Sequence, residues 1–216
     1  MPDLPELSDL PFAAHLTPAE GGLAPHGDYD TVLFERAEFD EPAAASARFL
    51  ECALSKVSVT GGKLQRTRFR DVWIRDLRLT GTNVSESEWL DVTVLASSLA
   101  GAQLFGSQLR RVVFSGCKLD SVNFRATRLH EVRFDHCVLR DVDFADAELT
   151  GCAFGGSQLV RTDFSRTRMD RTDLREAELG IIVDAQSLRG AIVSTGQLVA
   201  LAPVLAETLG LEVRDD

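Results

Sequence analysis

The chain has 216 residues, of which 44% are hydrophobic and 26% are charged, and it carries a formal net charge of −10. This length suits one domain with additional segments at its ends. No apolar run approaches the roughly 18 residues of a membrane-spanning helix, so we expect no membrane partner. The acidic start MPDLPELSDL has neither the basic residues nor the apolar core of a secretory signal, which predicts a cytoplasmic protein.

The N-terminal segment 1–28 is rich in proline, glycine and acidic side chains. This composition predicts an irregular arm rather than a regular element. The arm either covers the beginning of the domain that follows or stays partly disordered, and the sequence leaves both alternatives open.

A period of five begins after the arm. Between Phe34 and Leu179 every fifth residue is large and apolar, with Ala44 as the only small one, and the residue two places before is usually Val, Ala, Ser, Thr or Cys. The stretch VNFRATRLHEVRFDHCVLRDVDF, residues 122–144, shows the pattern clearly. Tyr29 stands one step earlier in the same register and is a further candidate for the core.

The period of five excludes both regular secondary structures. Positions five apart drift by about 140° around an α-helix, and in a flat strand every second large residue would face the opposite side. Within one unit, however, the small and the large residue are two apart and can point the same way. The chain can keep both inward only if it bends at the two residues after each large one. Such a chain coils around its own core, which predicts a solenoid.

The units resemble those of a known family. Several are close to the A(D/N)LXX unit of pentapeptide-repeat proteins: Ala147-Glu148-Leu149, Thr162-Asp163-Phe164, Thr172-Asp173-Leu174 and Ala177-Glu178-Leu179. The resemblance implies an all-β solenoid, a right-handed, four-sided parallel β-helix in which four units make one coil. The repeat then makes about seven and a half coils, and at about 4.8 Å per coil the rod is roughly 36 Å long.

The register slips after Leu179. Val183, Leu188 and Val193 continue the period of five but stand one position early. We therefore expect one more coil, distorted, over residues 180–193.

Three segments follow from these patterns: an N-terminal arm over 1–28, a β-helix over 29–193 with an unbroken register over 34–179, and a C-terminal module over 194–216. The sequence of this C-terminal module predicts a short α-helix followed by a short strand. Ser194 can cap this helix with Gln197 as its capping-box partner, and Gly210 can end it.

The predicted helix carries an apolar stripe, which either only plugs the last coil or also joins two chains. The sequence resembles the gyrase-interacting Qnr and MfpA groups of the family, and this implies a C-terminal module that pairs two chains into a long rod. We therefore expect a homodimer whose interface contains Leu198, Leu201, Leu205, Leu209, Leu211 and Val213.

All four cysteines, Cys52, Cys117, Cys137 and Cys152, occupy the small inward position. Cys117 and Cys137 are 20 apart, so they should stack on neighbouring coils at a distance that a disulfide can span. The alternative is four reduced thiols that fill the core. No pair has CxxC spacing, and we expect no metal site and no cofactor.

One side of the predicted coil has apolar residues at outward positions, namely Leu33, Trp73, Leu95 and Val113. The last three form a contiguous row. The row can pack under the N-terminal arm, bind a partner or have no role, and the sequence does not decide among these.

The negative charge lies mainly outside the coil. Residues 1–33 carry a net charge of −6, residues 34–179 a net charge of −1 and residues 180–216 a net charge of −3. No side of the coil is therefore a continuous acidic wall. The acidic groups nearest the expected dimer centre form our candidate partner-binding surface: Asp141, Asp143, Asp146, Glu148, Asp170 and Asp173.

No motif indicates catalysis, because the sequence has no Gly-rich phosphate loop and no nucleophile motif, and a rod with a filled core has no natural cleft. We expect a non-enzymatic protein that binds neither a small-molecule substrate nor nucleic acid directly. The family resemblance implies a rod that mimics duplex DNA, binds DNA gyrase or another type II topoisomerase, and changes its activity or its sensitivity to fluoroquinolones. The alternative is a protein–protein interaction scaffold with another partner.

Overall fold

The structure, a computed structural model, describes residues 5–183, 186–208, 210–212 and 214. Within these residues the chain forms two single-turn 3-10 helices, Leu7–Asp9 and Ala13–His15, and one α-helix, α1, Thr195–Thr208. The remaining elements are short β-strands: β1 Thr17–Pro18, β2 Asp28–Asp30, β3 Val32–Glu35, β4 Glu38–Asp40, β5 Arg48–Leu50, β6 Ala53–Ser55, β7 Ser58–Thr60, β8 Arg68–Arg75, β9 Arg78–Thr80, β10 Glu88–Leu95, β11 Ser98–Ala100, β12 Gln108–Ser115, β13 Lys118–Asp120, β14 Arg128–His130, β15 Arg133–Asp135, β16 Val138–Arg140, β17 Glu148–Thr150, β18 Gln158–Asp163, β19 Arg168–Asp170, β20 Thr172–Asp173, β21 Glu178–Ile182 and β22 Ala191–Ile192.

The strands wind into a parallel β-solenoid of about eight turns. Paired residues along the repeat are 20 apart, as for Phe69 with Trp89. The sheet from β4 to β21 forms one side, and a larger sheet covers two sides because β8, β10 and β12 run around a corner. The remaining side is a ladder of single bridges from Ala43 to Asp163. The predicted four-sided coil is confirmed.

Each corner of the coil is a residue in the left-handed backbone conformation. At every fifth residue from His26 to Arg171, φ lies between +46° and +66°. These are the second residues after each large one, where the period predicts a bend. The conformation costs a residue with a side chain about 1–2 kcal/mol. Most corner N–H groups, however, donate a hydrogen bond to the next coil, as from Glu131 to the Thr150 carbonyl at 2.9 Å.

The large residues fill the core and stack on their equivalents one coil away. In the C-terminal half, two phenylalanine columns have ring centroids 5.0–5.1 Å apart: Phe114, Phe134 and Phe154, and Phe124, Phe144 and Phe164. Neighbouring rings of the two columns meet edge to face, a favourable aromatic geometry. All six side chains are fully buried. The assignment of these positions to the core is therefore confirmed.

The N-terminal half has a less uniform core. One aromatic column runs through it, formed by Tyr29, Phe49, Phe69 and Trp89. Tyr29 stacks on Phe49 at 4.8 Å, as its register predicts. Leu, Val and Ile occupy most of the other large positions, and they line a small apolar cavity of about 40 Å³.

The small inward positions hold buried thiols and hydroxyls. The four cysteines are buried and free, so the core contains reduced thiols and no disulfide. A hydrogen bond shared with the neighbouring Cys117 thiol raises the pKa of Cys137, and burial raises it further. Burial also raises the pKa of Cys152, to about 11. Thiols in such surroundings are poor nucleophiles. Buried hydroxyls bond backbone carbonyls, as Thr127 does to Leu104 at 3.1 Å.

The N-terminal arm covers the outer side of the first coils. The indole Nε1 of Trp73 donates to the Pro5 carbonyl at 2.9 Å, and Arg75 forms an ion pair with Glu6. Trp73, Leu95 and Ala53 are buried beneath leucines of the arm: Leu7, Leu10 and Leu16, together with Leu33. Of the alternatives for the outward apolar row, packing under the arm holds for Trp73 and Leu95. Val113 lies beyond them and is half-buried.

The C-terminal end departs from the regular coil at the predicted slip. The pairing of β18 with β21 shifts after Val160, so that Thr162 lies opposite Ile181 rather than Ile182. Helix α1 follows, and its capping box is confirmed: Ser194 N donates to Gln197 Oε1 at 2.8 Å, and Gln197 N donates to Ser194 Oγ at 3.3 Å. No described helix is long and apolar enough to cross a membrane.

Candidate partner-binding surfaces

The six candidate carboxylates lie on three sides of the coil rather than on one. Asp141 and Asp146 are corner residues with positive φ, and Asp143 stands on the side between them. Glu148 belongs to the next side of the same coil, and Asp170 lies on that side of the coil that follows, where it pairs with Thr150. The sixth residue, Asp173, lies on the side after that. The structure thus brings four of the six together along one coil.

The two corner carboxylates pair with arginines one coil away. Arg161 donates from Nε and Nη2 to Asp141 at 2.6 and 2.5 Å, and Arg166 does the same to Asp146 at 2.7 and 2.9 Å. These hydrogen bonds hold the pKa of both aspartates below the ordinary range. Arg125 adds a further bond to Asp146 at 2.9 Å. The bidentate geometry is that of strong Arg–carboxylate pairs.

Two other aspartates also accept a hydrogen bond from the backbone N–H two residues later. One oxygen of Asp143 accepts from Ala145 N at 2.8 Å, and one oxygen of Asp173 accepts from Arg175 N at 3.0 Å. The same bond recurs at Asn83, Asn123 and Asp163, which explains why the repeat favours Asp or Asn before the large residue. Arg125 and Arg175 then bind the two aspartates through their guanidinium groups.

The last two candidates have cationic neighbours as well. Arg168 Nη1 donates to Glu148 at 3.0 Å, and Arg128 lies 3.5 Å from its other oxygen. Asp170 lies 3.4 Å from Arg171. All six carboxylates therefore have an arginine within 4 Å, and the candidate surface is close to neutral. For Asp141, Asp146 and Glu148 the sequence signal of this pairing was an arginine 20 positions later.

A second candidate surface is the C-terminal end, where large apolar side chains are exposed. Leu198 is 50% exposed, and Leu211 is 61% exposed. Four further exposed residues were missed by sequence reasoning: Ile182, Ile192, Val199 and Val204. The shifted register explains the isoleucines, because it places Ile182 opposite Asp163 and Ile192 opposite Asp173, both at outward positions.

The apolar residues of the predicted stripe on α1 do not all face the same way: some face the coil and others face solvent. Leu201 is buried against its own chain and Leu205 is half-buried, so they close the coil rather than extend a free surface. Gln197 Nε2 donates to the carbonyl oxygens of Leu174 and Ala177, which ties the helix to the last regular coil. Leu201 therefore packs against its own coil, and the dimer interface through Leu198, Leu201 and Leu205 stays a prediction. The remaining predicted interface residues, Leu209 and Val213, lie outside the described residues.

Comparison with known proteins agrees with this architecture. A family model of the pentapeptide repeat region matches residues 98–164. No curated protein sequence matches the chain.

Solved structures of several pentapeptide-repeat proteins are similar to the chain. One, from the Arabidopsis thaliana thylakoid lumen, is 14% identical over 57% of this chain and 77% of its own, with a TM-score of 0.44. A trypsin-treated variant of QnrB1, a plasmid-mediated fluoroquinolone resistance protein, is 20% identical over 89% of this chain and 98% of its own, with a TM-score of 0.41. Rfr23 of the cyanobacterium Cyanothece 51142 is 19% identical over 47% and 64%, with a TM-score of 0.35.

The unbroken register of five from Phe34 to Leu179, the four-sided coil that it forms and the family model agree with one another. Residues 98–164 match the pentapeptide-repeat family, and the same register of five continues through the coil on both sides of them.

Proposed function

We propose that this protein is a non-enzymatic binding rod that acts as a dimer joined through its C-terminal ends, and that its target is DNA gyrase or another type II topoisomerase. Pentapeptide-repeat proteins are generally structural or binding proteins. The observation that carries the proposal is the concentration of exposed apolar side chains at one end of the rod. Among the described residues, only Phe105 is a large exposed hydrophobic residue outside that end.

The end is suited to pairing with a second copy. Helix α1 turns Leu201 toward the coil and leaves Leu198 and Val199 exposed, at 50% and 70%. Ile182 and Ile192 lie on opposite sides of the same end, so the apolar surface extends around the helix. Exposed apolar patches of this kind are typical of interfaces between subunits.

Sedimentation of the purified protein at micromolar concentration tests the dimer. We expect twice the chain mass for the wild type and the mass of one chain for Leu198→Glu with Val199→Glu, because charges at an apolar interface oppose association. The matched control is Phe105→Glu, which also changes an exposed apolar residue but should leave the dimer intact. A monomeric wild type would limit the C-terminal module to closing the coil.

The case for a topoisomerase is one of shape. Two β-helices, each roughly 36 Å long, make a rod of about 70 Å when they are joined end to end. This length approximates a duplex of about 20 base pairs at 3.4 Å per step. The carboxylates nearest the proposed dimer centre pair with arginines, so electrostatic attraction would be weaker than for DNA. Shape would then contribute more to binding than charge does.

A supercoiling assay on the host's gyrase, with and without a fluoroquinolone, tests this part of the proposal. We expect the protein to change activity or drug sensitivity, and the quadruple variant with Asp141, Asp143 and Asp146 changed to Asn and Glu148 to Gln to have a weaker effect. The matched control changes four carboxylates of the first coils, Glu35, Glu38, Asp40 and Glu41, to amides and should act like the wild type. Unchanged activity and drug sensitivity at tens of micromolar protein, at least about ten-thousandfold above a dissociation constant of about 1 nM, would contradict the DNA-mimic proposal.

The pairing of all six candidate carboxylates with arginine favours a second candidate function, a protein-interaction scaffold with another partner. The two functions differ in salt dependence, since binding by a DNA mimic should weaken markedly as salt rises. Capture of partners from a lysate of the native host at low and high salt, followed by mass spectrometry, distinguishes them. Retention of topoisomerase subunits only at low salt supports the mimic, and salt-insensitive retention of another protein supports the scaffold.

A further inference from the structure

A recess interrupts one side of the coil in its C-terminal half. On this side Arg133, Ala153 and Asp173 stand one above the other on successive coils. Gly155, two residues after Ala153, lies next to Asp135 of the preceding coil. At its outward positions on this side, Ala153 and Gly155, the middle coil has no side chain larger than a methyl group. A space of about 340 Å³ therefore opens between the coils that flank it.

The walls of the recess carry alternating charges. Arg133 Nη2 contacts Asp135 Oδ2 at 2.5 Å on one wall, and Arg175 Nη2 contacts Asp173 Oδ2 at 2.6 Å on the other. Elsewhere an acidic residue and an arginine 20 apart pair directly between neighbouring coils. Here the bare coil separates the walls, and each arginine instead bonds a carboxylate of its own coil.

Two carboxylate oxygens converge over the bare floor, and no described residue donates to them. A Cβ placed on Gly155 would lie 3.4 Å from Asp135 Oδ1 and 3.6 Å from Glu176 Oε2. In the described part of the chain, Glu176 forms no ion pair, and the bond from Arg133 occupies only the other oxygen of Asp135. The Asp135 side chain is only 15% exposed, so its free oxygen is partly removed from water. This oxygen and that of Glu176 are positioned to accept hydrogen bonds from one group lying on Gly155.

We propose that the recess binds a basic side chain, an arginine, presented by a protein partner. The proposal deepens the function proposed above and rests on it, because it assigns a point of contact to the binding rod. Two arginines and three carboxylates line the recess, and the excess negative charge is neutralised by one cation. Both lining arginines are engaged by their own carboxylates, which limits their repulsion of a third.

Guanidinium chemistry suits the recess better than the alternatives. The group is planar, so it can lie flat on a floor formed by Ala153 and Gly155, and its five donors can reach two carboxylates at once. A lysine ammonium is a compact point charge without this fork. A free diamine would place a second positive charge beside Arg133 or Arg175.

The test is an NMR titration of the isotope-labelled full-length protein with N-acetyl-arginine amide, in which the side chain is flanked by peptide bonds as in a protein. Two comparison probes are N-acetyl-citrulline amide, which has the same shape without the charge, and agmatine, a free dication. We expect the backbone amides of Gly155 and Gly156 to shift with saturation, at a dissociation constant on the order of millimolar. The citrulline probe should cause no saturable shift.

Variants locate the binding. Glu176→Gln should weaken binding about tenfold, as expected for a lost charged hydrogen bond, and Gly155→Leu should abolish it by filling the recess. Gly155 does not have positive φ, so a side chain there strains no backbone. The matched controls are Glu178→Gln, which lies on the next side, and Ser115→Leu, two coils away on the same side. Both should bind like the wild type.

Three results would overturn the proposal: no saturable shift up to about 50 mM arginine probe, equal binding of the citrulline probe, or unchanged binding by Glu176→Gln. Agmatine binding more than about tenfold tighter than the arginine probe would replace the protein side chain by a small free cation as the ligand. The titration needs only the purified protein. Its outcome is therefore independent of whether the chain dimerises or affects gyrase.

Discussion

The two halves of the coil share one backbone and differ in what fills and covers it. The C-terminal half has two columns of stacked phenylalanines and a charged outer surface. The N-terminal half has one aromatic column, a cavity of about 40 Å³ and an outer side covered by the N-terminal arm. The coil is set by the corners and by the parity of small and large residues, so many fillings suit the same backbone. We infer that the C-terminal half is the more stable, and that the N-terminal half depends on its arm.

The same truncation in each half gives the largest expected effect. Phe134 is fully buried between Phe114 and Phe154, whereas Phe69 lines the cavity. Phe134→Ala should lower the free energy of unfolding by about 3–5 kcal/mol, and Phe69→Ala should fall at or below the lower end of that range. Urea unfolding of both variants measures the difference. A larger loss for Phe69→Ala would reverse the comparison.

The arm is tested by removing the residue that anchors it. Trp73→Ala deletes the indole that bonds Pro5 and packs under Leu7 and Leu10. We expect a loss of about 1.5–3 kcal/mol, as for the burial of one large side chain, together with rapid proteolysis of the arm. The control Phe105→Ala removes an aromatic ring that is 40% exposed and should change stability by less than about 0.5 kcal/mol. Equal proteolysis of wild type and Trp73→Ala would show that the arm does not depend on this anchor.

Adding one carbon atom to a core side chain should change the stability of the protein in opposite directions in the two halves. Val84 lines the cavity, so Val84→Ile can add buried apolar surface and stabilise the protein by up to about 0.8 kcal/mol. Val142 is fully buried in the closely packed half, and Val142→Ile should destabilise it by about 1–3 kcal/mol. Thermal unfolding of both variants gives the signs. Two changes of the same sign would mean that the halves do not differ in packing.

The smallest effect concerns the ion pairs of the C-terminal half. Hydrogen bonds from Arg161 and Arg166 lower the pKa of Asp141 and Asp146. Below the ordinary aspartate pKa of about 3.9 the unfolded chain takes up protons first, so the stability from these pairs is present above that pH and lost as pH falls through the lowered pKa values. Asp141→Asn with Asp146→Asn should reduce the difference in stability between neutral and acidic pH.

The matched control for the pH experiment is Asp40→Asn with Asp76→Asn. Neither aspartate forms an ion pair with an arginine in the described part of the chain. Urea unfolding at pH 6 and pH 3 should show the wild-type pH dependence for the control and a shallower one for the ion-pair variant. Identical pH dependence of the two variants would assign acid sensitivity to other groups.

The fold could be predicted from the sequence because a period of five leaves few alternatives. The positions of the corners, the buried phenylalanines and the slip after Leu179 all follow from parity and spacing. The capping box of Ser194 and Gln197 was also visible, because its bonds join residues three apart.

The candidate surfaces were harder to predict because they depend on where side chains lie between coils. The burial of Trp73 requires the irregular arm to cross the outer side of the coil, and no local pattern predicts that path. Leu201 turns toward the coil because of how α1 lies on it, which the stripe alone does not specify. The recess depends on bare positions at Ala153 and Gly155 between two charged coils. It is visible only once residues 20 apart are aligned.

Native-state hydrogen exchange tests the central claim, the difference between the halves, most directly. The amides of Phe134, Phe144 and Cys137 should exchange only through global unfolding, because their opening disrupts the stacked columns. The amides of Phe69 and Leu79 should exchange at a lower free energy, through local opening of the coils under the arm. Equal protection in the two halves, or greater protection of the N-terminal half, would contradict the account.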